Sequence, residues 1–305
     1  MFSRRCLMTR FLSTTRVPSL IPTTTAISTL SSIDVNEVSK FNALGGDWWS
    51  DEIRGPFGAL HAMNGVRVPL LRRALAPLAQ EKEATAAVEK RRRRDGSSSS
   101  GGDDDASVVL ERLPLSGLRL LDVGCGGGIF SMALARLGAH VVGLDASQAG
   151  IAAATARAAM DPLLSQRTEF RVGTLEDLVV RRTQHGTFDG VIASEVLEHV
   201  SNARAFLLNA GKLVAPRGVL FITTINRTPA SFTAAIGIAE YVLRLAPAGT
   251  HEWTKFVTPQ EVEDAINDAG LKVDTKRGLF YNPFNGQWAL CPSLAVNYAI
   301  IARRK

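Results

Sequence analysis

Leu-Leu-Asp-Val-Gly-Cys-Gly-Gly-Gly-Ile, at residues 120–129, is the stretch of this 305-residue chain that says most about its fold. An apolar run ends in Asp122, and glycines follow at Gly124, Gly126, Gly127 and Gly128. Glycine lets the backbone pass close beneath a ligand. A helix that starts after such a loop presents free amides and the positive end of its dipole to an anionic group. The segment therefore predicts a strand, a ligand-binding loop and a helix.

Two acidic residues distinguish this loop from the loop of a dinucleotide-binding enzyme. The dinucleotide fingerprint places glycines first, third and sixth, but the sixth residue from Gly124 is Ile129, and that fingerprint lacks the acid at Asp122. The next predicted strand ends in Asp145, whose carboxylate can accept hydrogen bonds from both hydroxyls of a ribose. A tight turn with a solvated Asp145 is the alternative that remains open.

A third acidic residue follows the third predicted strand, in Gly-Thr-Leu-Glu-Asp at residues 173–177. At this place Asp177 is expected to contact the adenine edge of a nucleoside ligand. An aspartate just after a strand is also often a helix cap. The local sequence leaves both interpretations open.

The rest of the chain alternates short β-rich runs with helical stretches, which indicates a parallel sheet with helices on both faces. The final two runs are expected to pair as a hairpin at the sheet edge. The predicted strands are 118–123, 140–144, 169–172, 188–193, 218–224, 271–279 and 297–303, and the predicted helices include 128–137, 148–159 and 203–213.

The segments outside this alternation differ in composition. Residues 1–33 carry four arginines, many serines and threonines and no acid, which is typical of a mitochondrial or plastid transit peptide, although a disordered tail is the alternative. We predict a mitochondrial transit peptide. Residues 34–80 are predicted to be helical, and 81–114 to be a disordered low-complexity insertion. Residues 115–305 form the expected main domain, with an apolar insertion at 228–254.

Composition argues against several functional classes. The net charge of +6 comes largely from the N-terminal arginines and the run at 91–94, so a nucleic-acid partner is not expected. The sequence contains no stretch of eighteen consecutive apolar residues, so a membrane-spanning helix is not expected. Three scattered cysteines show no metal or redox spacing.

The segment Ala-Ser-Glu-Val-Leu-Glu-His-Val at 193–200 follows the fourth predicted strand. In a helical turn, Glu195, Glu198 and His199 would stand at i, i+3 and i+4 on one face. Two carboxylates and an imidazole suit a divalent cation such as Mg²⁺. An acidic helix start with a capping or packing histidine explains the same spacing, so the spacing alone decides nothing.

Together these motifs resemble the class I S-adenosylmethionine-dependent methyltransferases, and more narrowly the ubiquinone-biosynthesis O-methyltransferases. The resemblance implies an α/β, Rossmann-like fold: a mostly parallel seven-stranded sheet with helices on both faces and an antiparallel terminal hairpin. It extends beyond the motifs to 36–41, Trp48, Trp49, Leu60, His61, Met63, Asn64 and Arg67, and to 281–283, Trp288 and 296–298.

The resemblance also implies roles for single residues. In that family Arg67 would bind the methionine carboxylate of S-adenosylmethionine. A planar guanidinium suits this role because it can pair a carboxylate through two hydrogen bonds. Gly124, Gly126 and Asp145 would hold the donor, and Ser194 would lie against it. Glu195, Glu198 and His199 would bind Mg²⁺ or a similar cation, with Glu195 and His199 as the catalytic residues. Without a metal, His199 is the candidate general base.

The implied substrates are catechol-type polyprenyl precursors of ubiquinone, methylated on a phenolic oxygen. The implied location is the matrix side of the mitochondrial inner membrane, with other ubiquinone-biosynthesis proteins as partners in a complex. The insertion 228–254 is the expected membrane contact, and an amphipathic helix packed on the core is its alternative. Rival functions are methylation of another small acceptor, a scaffold without activity, and a dehydrogenase.

Overall fold

A sheet of eight strands runs through the computed structural model, which describes residues 32–43, 45–49, 55, 57–95, 113–233 and 253–305. The strand order is β3-β2-β1-β4-β5-β8-β6-β7. The strands are β1 (Arg119–Val123), β2 (His140–Asp145), β3 (Thr168–Val172), β4 (Phe188–Ser194), β5 (Val214–Ile225), β6 (Leu271–Asn282), β7 (Gln287–Cys291) and β8 (Asn297–Arg304).

The first five strands pair in parallel, as the alternating sequence predicted. Strand β8 runs antiparallel to both β5 and β6, so the two terminal runs do pair with each other. The expectation of seven strands is corrected to eight, because β7 pairs antiparallel with β6 at the sheet edge. This five-residue strand has one neighbour, and its half-exposed sequence lacks the alternation that would have revealed it.

Helices cover both faces of the sheet. They are α1 (Val35–Ala43), α2 (Gly58–Asp95), α3 (Ile129–Arg136), α4 (Gln148–Ala159), α5 (Pro162–Arg167), α6 (Leu175–Val180), α7 (Ala203–Leu213), α8 (Pro229–Ser231) and α9 (Pro259–Asp268). Successive residues of β1 face the two opposite helical layers. Leu120 packs in the hydrophobic cluster with α2, α3 and α4, and Leu121 packs in the cluster with α6, α7 and α9.

Helix α2 changes the prediction for residues 81–114. It runs for 38 residues to Asp95, so 81–95 are helical where disorder was predicted. Glutamate, lysine, alanine and arginine dominate this part, and all four are good helix formers. Residues 96–112 of the predicted insertion lie outside the described residues.

Two other predicted segments fall largely outside the description. The proposed transit peptide 1–33 reaches it only at residues 32 and 33, and the apolar insertion 228–254 reaches it only at 228–233, 253 and 254. Within the described ranges, no helix has the length and apolarity needed to cross a membrane.

Candidate active site

A cavity of about 530 Å³ lies at the carboxyl ends of β1, β2 and β4, where ligands bind in open α/β sheets. Helices α1 and α2 and the β6–β7 hairpin complete its walls. Most of the predicted site residues line this one cavity, namely Arg67, Gly124, Asp145, Ser194, Glu195, Glu198 and His199. Gly126 and Asp177 are not part of its wall.

The glycine loop is tied to the end of β2. The Asp145 carboxylate accepts hydrogen bonds from the amides of Gly126 at 2.8 Å and Ser147 at 2.7 Å. Burial raises the pKa of Asp145, and these two hydrogen bonds oppose the rise. A carboxylate has about four acceptor positions, so two remain for the hydroxyls of a ribose.

Gly126 lies behind the cavity and shapes its wall. Its φ of +51° is in the left-handed region, and a Cβ there would come within 2.2 Å of the Trp48 ring. Trp48 itself lines the cavity and stacks on Phe57 with ring centroids 3.7 Å apart. Gly126 therefore serves the site by allowing an aromatic ring against the loop.

Asp122, at the end of β1, is buried behind the loop. Its Oδ2 accepts a hydrogen bond from Ser131 at 2.5 Å. Burial raises the pKa of Asp122 to about 6, although the Ser131 hydrogen bond and the charge of Arg67 oppose this rise. The acid ahead of the first glycine thus joins the end of β1 to α3, the helix that follows the loop.

Arg67 reaches the cavity from α2 and is 4% exposed. Its hydrogen bonds go to neutral oxygens, Oδ1 of Asn64 at 2.7 Å, Oγ of Ser194 at 2.9 Å and the carbonyl of Leu60 at 3.2 Å. Burial lowers the pKa of Arg67 to about 10, which still leaves the group charged at neutral pH. A buried cation with neutral partners suits an anionic ligand group.

Asp177 does not take the place predicted for it. It forms a capping box at the start of α6, where Thr174 and Asp177 each bind the other's backbone amide. The cavity wall contains Thr174 and Glu176 instead. The threonine three residues ahead of an acid is a capping signal that the sequence already contained.

Ser194 is the last residue of β4, and Glu195, Glu198 and His199 follow it in an irregular turn rather than a regular helical start. Glu195 has a φ of +57°, and a 3₁₀-helix spans only Leu197–His199. The Glu198 carboxylate is 4% exposed and accepts a hydrogen bond from Thr224 at 2.6 Å. The turn brings both carboxylates and the imidazole to one cavity by a route other than the predicted i, i+3, i+4 face.

The charges in this turn influence one another. Burial, followed by the charge of Glu198, raises the pKa of Glu195 to about 7. Burial alone would lower the pKa of His199, but the hydrogen bond to Glu37 and the charges of Glu198, Glu37 and Glu195 raise it. Groups with such shifts in a cavity are typical of catalytic sites.

The fit of this turn to a metal ion is partial. Glu195 Oε1 is buried and has no hydrogen-bond partner among the described residues, and oxygen and imidazole donors suit a hard divalent cation. However, within the described ranges no group of three His, Cys, Asp or Glu side chains is arranged to hold an ion. The role of Glu195, Glu198 and His199 as metal ligands therefore stays a prediction.

The sequence interpretation missed two residues of the site. Glu37, on α1, bonds to His199, and the indole nitrogen of Trp48 is buried without a partner in the described part of the chain. Both lie in stretches that were noted only as part of the family resemblance. Neither has a local motif, because each meets the site through a long-range contact.

Comparison with known proteins places the chain in a family. Residues 70–276 match the methyltransferase domain family. The mitochondrial ubiquinone biosynthesis O-methyltransferase of Rattus norvegicus is 38% identical over 91% of this chain and 71% of its own length. The ubiquinone biosynthesis O-methyltransferase of Methylobacterium sp. is 39% identical over 90% of this chain and 96% of its own length.

The human mitochondrial relative is longer, since the matched part covers 89% of this chain and 65% of that protein. A solved magnesium protoporphyrin IX methyltransferase from Synechocystis PCC 6803 is also similar, with a TM-score of 0.47 and 19% identity over 78% of this chain and 99% of that chain. The matched domain and the extent of identity to these relatives show that this chain belongs to the ubiquinone biosynthesis O-methyltransferase family of methyltransferases.

Proposed function

We propose that this protein transfers the methyl group of S-adenosylmethionine to a phenolic oxygen of a catechol-type polyprenyl precursor of ubiquinone. The observation that carries the proposal is that a buried cation, a ribose-competent carboxylate and a histidine line one cavity. Arg67 and Asp145 supply the donor half, and His199 supplies the proton acceptor.

The donor half matches the charges of S-adenosylmethionine. Arg67 is a buried guanidinium without an ion-pair partner among the described residues, so it suits the methionine carboxylate. Asp145, at the end of β2, retains acceptor positions for the ribose. Thr174 and Glu176 line the wall beyond β3, and we propose that they, rather than Asp177, lie near the adenine.

The acceptor half is aromatic. Tyr281 and Trp288 contact each other across the β6–β7 hairpin with ring centroids 5.2 Å apart, and both line the cavity with Phe280. The indole of Trp288 donates to the carbonyl of Ala59, which fixes the hairpin against α2. Flat aromatic and apolar walls suit a phenol ring that carries a hydrocarbon tail.

Methyl transfer is a direct displacement at carbon. The phenolic oxygen attacks the methyl carbon, the carbon–sulfur bond breaks with its electrons going to sulfur, and His199 takes the phenolic proton. The products are the methyl ether and S-adenosylhomocysteine. Because the sulfonium charge disappears during the reaction, the protein contributes mainly by orienting the two reactants and accepting the proton.

We also propose, as the alternative to a general-base role for His199, that Mg²⁺ or a similar divalent cation binds at Glu195, Glu198 and His199. An imidazole nitrogen that binds a cation has no lone pair left for the phenolic proton, so the two roles of His199 exclude each other. The support is chemical: two mutually repelling carboxylates beside an imidazole, one with a buried unpartnered oxygen. When bound, such an ion would lower the pKa of a catechol hydroxyl. The displacement described above uses only protein groups, and the metal dependence is an outcome of the experiment below.

We propose a mitochondrial location by analogy with the relatives whose names include it. Within the mitochondrion we propose the matrix side of the inner membrane, as a peripheral protein that works beside other ubiquinone-biosynthesis proteins. A polyprenyl tail hardly leaves a bilayer, and the segment 228–254 has the apolar composition for membrane contact.

The decisive experiment measures transfer of a labelled methyl group from S-adenosylmethionine to a short-tailed polyprenyl dihydroxybenzoate, with and without a chelator. Transfer is expected in the wild type and is expected to fall at least about 100-fold in Glu195→Ala and His199→Ala. The matched controls are Glu263→Ala and His185→Ala. Glu263 is a surface residue of α9, and His185 is a surface residue in the turn just before β4.

Four results separate the alternatives. Loss of transfer with the chelator, restored by Mg²⁺, supports the metal proposal, and unchanged transfer contradicts it. Donor binding without transfer to this phenol, but with transfer to another small acceptor, replaces the substrate. Donor binding without transfer to any acceptor supports a scaffold role and overturns the proposed function.

A further inference from the structure

A hydrogen bond joins a buried glutamate and a half-buried histidine that lie 162 residues apart in the sequence. Oε2 of Glu37 is 2.9 Å from Nδ1 of His199. Glu37 lies on α1 and is 5% exposed, while His199 ends the turn after β4. Both residues line the cavity.

The surroundings of Glu37 keep its carboxylate negatively charged. The ammonium of Lys40 lies 2.9 Å from Oε1, and that of Lys255 lies 3.6 Å from the same oxygen. An ionised carboxylate only accepts hydrogen bonds. The bond between Glu37 and His199 therefore requires the hydrogen on Nδ1 of the imidazole.

The backbone around His199 is held to the same N-terminal segment. Ile33 forms an antiparallel bridge with Val200, and the amide of Ser201 donates to the carbonyl of Ser32 at 2.8 Å. The ring of Phe41 meets the imidazole edge-on, with centroids 5.1 Å apart. These contacts, together with the hydrogen bond to Glu37, restrict the rotation of the imidazole.

We propose that Glu37 is the positioning residue of the reaction: it holds His199 as the Nδ1–H tautomer, so that the Nε2 lone pair can take the phenolic proton. The tautomer of a histidine is set by the hydrogen bond that its other nitrogen makes. The proposal deepens the proposed function and rests on it. In the step, the phenol O–H bond breaks, Nε2–H forms, and the oxygen's electron pair attacks the methyl carbon as carbon–sulfur bond cleavage returns a pair to sulfur.

The first test reads the tautomer directly and needs no acceptor. Long-range ¹H–¹⁵N spectra of the full chain labelled with ¹⁵N-histidine report which ring nitrogen carries hydrogen, and His199→Gln assigns the signals. The neutral ring of the wild type is expected to be protonated at Nδ1. In Glu37→Leu it is expected to lose this preference, and Glu263→Leu, which changes a surface glutamate of α9, is expected to keep it.

The second test reads the reaction. Glu37→Leu is expected to lower kcat about 10- to 100-fold, as removal of a supporting hydrogen-bond partner typically does at metal-ligating histidines. The Kd for S-adenosylmethionine is expected to change less than about twofold. Glu37→Gln, which can still accept a hydrogen bond, is expected to recover part of the loss.

A double variant separates positioning from a structural role. In a His199→Gln background, Glu37→Leu is expected to have no further effect on kcat, whereas a structural defect would lower it in both backgrounds. The proposal is overturned if Glu37→Leu keeps the Nδ1–H tautomer, or if its loss of kcat is the same in both backgrounds. A wild type that transfers no methyl group to the phenol contradicts the proposed function instead, and the tautomer measurement still decides whether Glu37 positions His199.

Discussion

Arg67 donates a hydrogen bond from Nη1 to Oγ of Ser194 at 2.9 Å, and this bond joins the long helix α2 to the end of β4. Ser194 Oγ lies in turn 2.7 Å from Oγ1 of Thr223 on β5. The guanidinium also lies over the ring of Phe130, 4.3 Å from its centroid. Arg67 is therefore fixed in place before any ligand arrives, which lowers the entropic cost of binding one.

The fixed guanidinium predicts that Arg67→Lys weakens donor binding. Lysine keeps the charge but lacks the planar fork that pairs a carboxylate through two bonds. Each hydrogen bond to a charged group is worth about 1.5–3 kcal/mol, so we expect the Kd for S-adenosylmethionine to rise about 10- to 100-fold in calorimetric titration. Arg72→Lys, on an exposed position of the same helix, is the control. A Kd for Arg67→Lys within twofold of the wild type would contradict a contact with the carboxylate.

Asp145 is predicted to recognise the ribose, and an analogue tests this more sharply than affinity alone. Asp145→Asn should raise the Kd for S-adenosylmethionine, because an amide offers fewer acceptor positions than a carboxylate. In the wild type, a donor analogue lacking the 2′-hydroxyl should bind more weakly than the natural donor, and in Asp145→Asn this difference should shrink. Equal differences in both proteins would place the ribose elsewhere. Asp268→Asn, at a surface ion pair, is the matched control.

Gly126→Ala is predicted to destabilise the protein, because a Cβ at φ +51° would meet the Trp48 ring at 2.2 Å. The left-handed backbone alone costs about 1–2 kcal/mol for a residue with a side chain, and displacement of the ring adds to it. Gly65→Ala is the control on α2, where a Cβ meets nothing within 4 Å. It should stabilise the helix by roughly 0.5–1 kcal/mol. Chemical denaturation measures the free energy of unfolding of each variant. A change of the same sign in both variants, relative to the wild type, would refute the packing argument.

Asp122 predicts a pH dependence of stability. Its pKa is raised from 3.8 to about 6 in the folded protein, chiefly by burial, so the folded state binds more protons than the unfolded state between these values. Stability must then fall as pH rises through this window and level off above it. At about 1.4 kcal/mol per pKa unit, the full effect is on the order of 3 kcal/mol. The free energy of unfolding of Asp122→Asn, relative to the wild type, should therefore increase between pH 4 and pH 7. If the difference in free energy of unfolding between Asp122→Asn and the wild type stays constant over this pH range, burial does not raise the pKa of Asp122.

The sequence by itself determined the parallel pairing of β1 to β5, and it predicted correctly that Gly124 and Asp145 lie at one site. The glycine loop, Asp122 and Asp145 can be recognised from short stretches of sequence. A left-handed backbone position and an acid at a strand end depend only on residues close by in the chain. The alternation of strands and helices likewise implies parallel pairing, since short connections and right-handed crossovers leave few other solutions. Asp177 shows a limit of such reasoning: its capping signal and its place after β3 supported two different interpretations, and the sequence did not decide between them.

Only the tertiary structure decided which distant residues complete the site. Glu37 reaches His199 and Trp48 covers the glycine loop through contacts between elements far apart in the chain, and no local period records them. Strand β7 exists because β6 supplies its hydrogen-bond partners. Nor could sequence give the raised pKa of Glu195, since burial and the approach of Glu198 are consequences of packing. Local chemistry follows from the order of residues, but the free energy of bringing buried polar groups together depends on the assembled fold.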